Sequence, residues 1–363
     1  MAATDYEVGT GKTYADHSTA VGVILGAYGT SLYNDGLQRL LTYASATPST
    51  KGDGTEYNET IYTNFTGYTT GKFAMEAQVP HNGQRGEGVI LKAVGNPTGT
   101  TYGLRLNDTG YVYGYAFDNP VGATQYNGGV YVCYAYAGYI LDKILVYDVD
   151  KAGSQVFGIR TARSALAYNL GVMNLTGLRV VGISAQSCVY NASVLNCWGN
   201  SYAYGIQQIF RPSGCCNSIV QGITGGSSGR ANFASFPTYG SNVSDDATGG
   251  GLINQSAAQI AFNNYAAGTE DMRILLASVA KDYGTNYFHN TYLKKDIAMV
   301  DRHATDPWDS GAHTYVEIPV EGEERFINIG STMNVERATF SPTGSSSIFA
   351  KRKSGIYVPR RVA

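Results

Sequence analysis

The stretch NASVLNCWGN, residues 191–200, alternates small and apolar side chains between asparagines and closes on a turn-like Trp198-Gly199-Asn200. It admits three readings: a glycosylation sequon at Asn191-Ala192-Ser193, part of a metal site at Cys197, or one copy of a repeating unit. Its neighbours decide. KILVYDV (143–149), NLGVMNL (169–175) and NSIVQGI (217–223) align with NASVLNC (191–197) without a gap. Every copy carries valine at its fourth position: Val146, Val172, Val194 and Val220. The first position is Lys143, Asn169, Asn191 and Asn217, and the sixth is Asp148, Asn174, Asn196 and Gly222. The seventh is Val149, Leu175, Cys197 and Ile223, and the starts are separated by 26, 22 and 26 residues. Gly followed by Ile recurs between copies at Gly158-Ile159, Gly182-Ile183 and Gly205-Ile206, with Gly129-Val130 as the apparent upstream counterpart.

A period of this length, built from short strands and Gly/Asn turns, is a solenoid signature. The L-x-x-L-x-L frame of leucine-rich repeats is missing, and no long helical pattern separates the strands. A parallel β-helix remains, its coils paired at about 4.8 Å. The four valines then form an interior column, and Cys197 joins Val149, Leu175 and Ile223 in the next. The recurrent asparagines suit bends, where they tolerate left-handed backbone and hydrogen-bond their own main chain. The segment DHSTAVGVIL (16–25) predicts a short helix covering the open apolar end. Early strands are expected within 37–45, 56–65, 72–79 and 88–95, with further coil over 103–117.

Composition agrees with a sheet- and turn-rich chain: 15% of residues are charged, with 45 Gly and 29 Tyr among 363. A formal charge of −2 gives no global drive toward nucleic acid or anionic membrane. No apolar run is long enough for a membrane-spanning helix. The opening MAATDYEVGTGKTYADHS has no basic region followed by an apolar core, so no signal peptide is expected. The five cysteines, Cys133, Cys188, Cys197, Cys215 and Cys216, are an odd number that argues against a disulfide framework. Cys215-Cys216 is not a CxxC pair and has no nearby histidine. All five are expected as buried free thiols, with no metal and no cofactor.

Residues 5–45 resemble the opening of phage and bacterial right-handed β-helix proteins of the pectate-lyase-like superfamily, in which a helix caps a first strand. Residues 270–317, with EDMRILLASVAKDYGT, DIAMVDR and WDSGAHTYVEI, resemble the closing segment of β-helix proteins of the choice-of-anchor Q group. The matching positions are Asp271, Arg273, Leu275, Ser278, Asp282, Gly284, Asp296, Arg302, Asp309, Gly311, Ala312 and Tyr315; Val279, Lys281, Ser310, His313 and Thr314 depart from the pattern. That motif terminates a fold and speaks to no chemistry. The expected fold is therefore all-β, a right-handed single-stranded parallel β-helix (solenoid) with a short N-terminal helical cap and a C-terminal extension. Its parts are a cap (1–36), the β-helix (37–269), a terminal segment closing it (270–317), and an extension with a docking arm (318–363).

Polysaccharide-cleaving β-helices need paired carboxylates on an exposed face. The weak catalytic candidates are Asp142, Asp148 and Asp150, whose spacing reads as a single coil edge, although turn residues are the simpler account. His17, His81, His289, His303 and His313 are scattered, and no HExxH or HxH occurs. Gly9-Thr10-Gly11-Lys12-Thr13 echoes a phosphate loop but lacks its first glycine and a preceding strand. Tyrosines cluster at 111–115, 126–139 and 202–204; strand packing explains most of them, and stacking on sugars is their functional reading. The terminal arm carries Lys351, Arg352, Lys353, Arg360 and Arg361 around Ile356, Tyr357 and Val358, a charged strap able to add a strand to an open edge. Docking on another subunit is favoured there over nucleic acid.

The expectation is a structural bacteriophage virion protein, a capsid decoration or a head or tail fibre-spike, assembled in the host cytoplasm and without catalysis. Its partners would be other capsid or tail subunits and copies of itself, a trimer by analogy, with host glycans as a further candidate and no membrane. The alternatives are a tailspike depolymerase cleaving host surface polysaccharide, or a glycan-binding adhesin without hydrolytic activity.

Overall fold

The four valines stack as the repeat predicts. Val146 pairs with Val172, Val172 with Val194 and Val194 with Val220, and all four are fully buried. The computed structural model describes residues 3–29, 36–63, 73–95, 99–107, 110–121, 129–135, 139–162, 165–186, 188–208, 214–226, 228–234, 240–287 and 290–315, together with the strands Ser347–Lys351 and Tyr357–Arg361. The valine column belongs to a parallel β-solenoid of about five turns.

Each turn has three sides. The first face stacks Thr4–Val8, Gln38–Thr42, Phe73–Ala77, Tyr111–Tyr113, Ile140–Asp142, residues 166–168 and 189–190, and Cys215–Cys216. The second stacks Thr55–Asn58, Val89–Lys92, Tyr115–Phe117, the valine-bearing segments of the repeat, and Val243–Ser244. The third stacks Ile61–Thr63, Thr101–Leu106, Val130–Ala135, residues 156–161, 180–185 and 203–208, and Gly229–Ala234. Alternate residues point inward on the first face, whereas on the third two outward residues flank a buried pair, as Tyr102 and Arg105 flank Gly103-Leu104. The first face contributes a buried column of Leu40, Met75, Val112, Leu141, Ala167, Val189 and Cys215; the third contributes Ile61, Leu104, Cys133, Ile159, Ile183, Ile206 and Phe233. Each fully buried aliphatic side chain stabilises the stack by about 1.5–3 kcal/mol relative to exposure.

The two polar positions of the repeat are the corners on either side of the second face. Lys143, Asn169, Asn191 and Asn217 have φ of 54°, 52°, 54° and 51°, and Asp148, Asn174, Asn196 and Gly222 have 55°, 54°, 53° and 71°. Asn and Gly recur here because few other residues enter the left-handed region cheaply. The asparagine side chains do not turn back on their own main chain as expected. They reach the adjoining coil: Asn169 Nδ2 donates to Asp142 Oδ1 (2.9 Å), Asn191 Nδ2 to Asn169 Oδ1 (3.2 Å) and Asn174 Nδ2 to Asp148 Oδ1 (2.8 Å). Stacked coils put equivalent residues one strand spacing apart, so a side chain finds its neighbour's copy before its own backbone.

The Gly-Ile marker is a second interior device. Ile159, Ile183 and Ile206 are in register, and a side chain at Gly182 would strike Val194 and the main chain of Gly205. Gly129-Val130 is not the upstream counterpart, because Val130 pairs with Val156; the residues in register with Ile159 are Cys133 and, one coil earlier, Leu104.

At the N-terminus, helix His17–Tyr28 forms where the sequence predicts it, capped by Asp16, whose side chain accepts from Thr19 N at 2.7 Å. It buries Ala20, Val21 and Ile24. The solenoid nevertheless starts before it: Thr4–Val8 pairs in parallel with Gln38–Thr42, so the first coil lies inside the expected cap region. The last parallel pairing joins Val243 to Leu252, and an antiparallel pair, Phe262–Asn264 with Asp271–Ile274, follows.

The terminal segment does not lie across the end of the coil. Ile260, Phe262, Met272, Ile274 and Ala280 share one apolar cluster with Ile90, Ala116, Leu145, Tyr147, Met173, Leu195, Ile219 and Val243, so the segment runs along the outside of the second face. It also turns the corner onto the first face, where Tyr287, Tyr292, Leu293 and Trp308 pack on Tyr168 and Tyr190. Asn169 Nδ2 donates to Tyr292 O (2.9 Å) and Asn217 Nδ2 to Thr285 O (2.7 Å). The motif positions hold this segment's loops. Arg302 donates to the carbonyls of Asp309, Gly311 and Ala312, Asp296 accepts from Ala298 N, Val300 N and Thr314 N, and Asp309 accepts from Asp282 N and Tyr315 N.

Residues 316–363 form a separate unit, in which Ser347–Lys351 and Tyr357–Arg361 make an antiparallel pair.

Candidate functional site

The third face differs from the other two in what it shows outside. Its inward columns fix which residues face out. One outward column reads Tyr62, Arg105, Tyr134, Arg160, Ser184, Gln207; the next reads Tyr102, Tyr131, Phe157, Val181, Tyr204; Ser184 and Val181 are buried, and the others are at least partly exposed. Tyr102 stacks on Tyr131 (ring centroids 5.4 Å, 19° between planes) and Tyr131 on Phe157 (4.7 Å, 2°). The Arg105 guanidinium lies 5.0 Å from the Tyr62 ring centre and 4.8 Å from that of Tyr102. Arg160 lies 5.1 Å from Tyr131, 5.5 Å from Tyr134 and 5.3 Å from Phe157. Further along, Arg179 sits 5.4 Å over Tyr202, which stacks on Tyr204 at 5.0 Å.

This geometry changes the expected use of the aromatics. The rings of Tyr102, Tyr131 and Phe157 spend their faces on one another, so what they offer outward is edges and, for the two tyrosines, hydroxyls. Between them stand guanidinium groups, oriented by cation–π contact and half-buried. The surface is a row of hydrogen-bond donors along the solenoid axis. The tyrosine clusters at 126–139 and 202–204 pointed here; Arg105, Arg160 and Arg179 were missed, because their alignment with the rings emerges only once the coil register is known.

The candidate catalytic aspartates do not share an edge. Asp142 ends the first face and Asp148 follows the second-face strand, so the two occupy different corners, on the order of 15 Å apart at about 3.3 Å per residue. The three-residue side between them is what the sequence spacing concealed. Asp142 is buried, and burial pushes its carboxyl above the usual range, partly offset by Lys143 and Asn169. Asp148 lies in a chain of alternating charges. Lys92 joins Glu56 (2.8 Å) and Asp118 (3.3 Å), Lys51 joins Asp118 (2.7 Å) and Asp148 (2.9 Å), and Arg85 joins Asp148 (2.7 Å) and Glu270 (2.5 Å). This chain fastens successive coils to the terminal segment. Asp150 is exposed, and its main-chain N–H donates to Asn119 Oδ1.

The remaining sequence candidates divide between core, cleft and arm. Cys133, Cys197 and Cys215 are interior column members, and burial pushes the Cys133 and Cys197 thiols up to about 12. Cys188 and Cys216 are only partly buried, on the outside of the first face, in a cleft of about 410 Å³ with Tyr190, Thr285 and Tyr287. Burial raises the Cys216 thiol, which leaves it a poor nucleophile at neutral pH. Among the described residues no three His, Cys, Asp or Glu side chains gather as metal ligands. A strand does precede Gly9-Lys12, but Lys12 is engaged by Glu7 (3.5 Å) and the Tyr43 ring. In the arm, the backbones of Lys351, Tyr357, Val358, Arg360 and Arg361 belong to the hairpin; Arg352, Lys353 and Ile356 lie outside the described residues.

Comparison with protein-family models, curated proteins and solved structures finds no match.

Proposed function

We propose that this chain is a non-catalytic parallel β-helix of a phage particle, a fibre or spike component, that contacts host-surface glycan through its third face. The observation that carries this reading is the axial row of tyrosine hydroxyls and guanidinium groups, Tyr62, Arg105, Tyr134 and Arg160 beside Tyr102 and Tyr131, on one side of a rigid solenoid. Saccharides are rich in hydrogen-bond acceptors, and sites on rigid strands hold donors at fixed spacing. Binding is favoured over hydrolysis because Asp142 and Asp148 stand at separate corners and each is engaged by a cation and an amide. Purified protein should bind a host-surface polysaccharide in calorimetry without releasing reducing ends, and Tyr131→Ala should weaken binding about tenfold while leaving the circular dichroism unchanged. Oligosaccharide release would replace this reading with a depolymerase.

A second reading, a purely structural virion subunit, draws support from the separate unit of residues 316–363 and its hairpin. Removing residues 341–363 should then leave the solenoid folded and abolish incorporation into particles or oligomers. Normal incorporation of the truncated chain would dismiss the arm as a docking element.

A further inference from the structure

We infer that the ligand of the third face is an acidic glycan, an extended chain carrying carboxylate or sulfate groups; this rests on the saccharide reading above and specifies its chemistry. The chain as a whole has 28 acidic and 26 basic residues, yet the outward columns of this face hold Arg105 and Arg160 and no Asp or Glu. Elsewhere the protein neutralises its cations: Lys51, Arg85 and Lys92 each meet two carboxylates. On the third face the arginines have aromatic rings as neighbours instead. Cation–π contact fixes the plane of a guanidinium but satisfies none of its N–H donors. With rings and no carboxylate beside Arg105 and Arg160, the partly exposed edges of these guanidinium groups are left to an acceptor from outside, and a charged one matches a guanidinium best.

The register then selects among anions. Arg105 and Arg160 are two coils apart, about 10 Å along the axis, with Tyr134 between them. A single small anion cannot meet both, whereas an extended polymer lying along the axis can. In the coil beyond Arg160, Arg179 adds an exposed cation at the edge of the face, in register with Gln155 and Tyr202 and not with Arg160. Single-stranded nucleic acid is also an extended polyanion, but its bases bind by stacking on open ring faces. The faces of Tyr102, Tyr131 and Phe157 are occupied by one another, which favours a ligand that needs donors and not platforms.

The test uses the full chain and calorimetric titration with oligogalacturonate, polysialic acid and heparan sulfate fragments, each beside its carboxyl-reduced or desulfated counterpart, and with single-stranded DNA. At least one acidic glycan should bind, its neutral counterpart should bind at least about tenfold more weakly, and added salt should weaken the acidic complex. Arg105→Gln and Arg160→Gln should each cost about tenfold in affinity with the fold intact by circular dichroism. The acid-against-neutral comparison needs no variant, so a misfolded mutant leaves the proposal open to refutation. Equal binding of neutral counterparts, with both arginine variants silent, overturns the acidic ligand and leaves the saccharide reading standing. Failure of every saccharide, acidic or neutral, overturns both. Preference for single-stranded DNA over all glycans also overturns both and reassigns the face.

Discussion

The second and third faces are built by the same repeat and have opposite exteriors. Outside the second face stand Leu145, Met173, Leu195 and Ile219, all fully buried because the terminal segment lies over them. Outside the third stand Tyr102, Tyr131, Phe157, Arg105 and Arg160, only partly buried, with one another for company. Both exteriors are rich in carbon, but one is mostly aliphatic and covered, its Ser193 hydroxyl accepting from Ala312 N of the terminal segment, and the other ends in hydroxyl and guanidinium groups. A parallel strand buried on both sides reads as a continuous apolar run, and a strand with one wet side retains polar ends. The difference shows that a solenoid's interior repeat sets its shape while the outward columns decide what each side binds. One side holds the chain's own terminal segment, and the other keeps Tyr62, Arg105, Tyr131 and Arg160 at least partly exposed.

The largest effect should come from placing the same charge on each side. Leu195→Asp puts a carboxylate under the terminal segment with no partner, and about 3–5 kcal/mol of stability should be lost. Tyr131→Asp, on a half-exposed position whose neighbour is Arg160, should cost about 1 kcal/mol, the value of the broken ring stack. Urea unfolding followed by circular dichroism measures both. Similar losses would erase the distinction between the two faces.

Acid should loosen the covered side first. His81 is fully buried, donates from Nε2 to Lys143 O (2.8 Å) and accepts at Nδ1 from Gly83 N (2.9 Å), and burial lowers its pKa to about 4. His313, on the terminal segment, is lowered for the same reason although Asp296 and Asp271 pull the other way. The two meet at the loop 81–86, where a side chain at Gly83 would strike the His313 ring. Because both folded values lie below that of a free histidine, neutral histidine stabilises the fold above about pH 6.5, and this contribution is lost as pH falls toward 4. For His81 alone the loss is about 3 kcal/mol, from a shift of roughly two and a half units. Hydrogen exchange, corrected for intrinsic rates, should show residues 296–315 opening at pH 4.5 before the third-face strands. Uniform protection at that pH would mean that the histidines do not hold the segment down.

The coil was legible because its signal is positional. Val146, Val172, Val194 and Val220 sit at a fixed place in each copy, and the stacking of equivalent residues turns that place into a column. The corner asparagines were legible for the same reason, since a left-handed φ leaves few residue choices. What the asparagines bond to was not, because the partner lies one coil away. The covering of the second face did leave a trace: ILVY (144–147) and ASVL (192–195) fail to alternate, which marks strands buried on both sides. The donor row of the third face left less, because Arg105 and Arg160 are 55 positions apart in sequence and two coils apart in space.

The smallest effect concerns the corner that joins the first face to the second. Asn191 holds φ at 54° and donates to Asn169 Oδ1, so it contributes through conformation and through the side-chain ladder. Asn191→Ala loses both: about 1–2 kcal/mol for an L side chain without local support in the left-handed region, and about 1 kcal/mol for the hydrogen bond. Asn191→Gly keeps the conformation cheap and loses only the ladder, so it should cost about 1 kcal/mol. At the opposite corner the chain already makes this exchange, with Gly222 (φ 71°) in the column of Asn174 and Asn196. Asn196 there also donates to Glu270 Oε1 (3.1 Å) on the terminal segment, so Asn196→Gly should additionally speed exchange of residues 262–274, and Asn191→Gly should not. Equal losses for Asn191→Ala and Asn191→Gly would show that the ladder, and not the left-handed backbone, is what selects asparagine at the corners flanking the covered face.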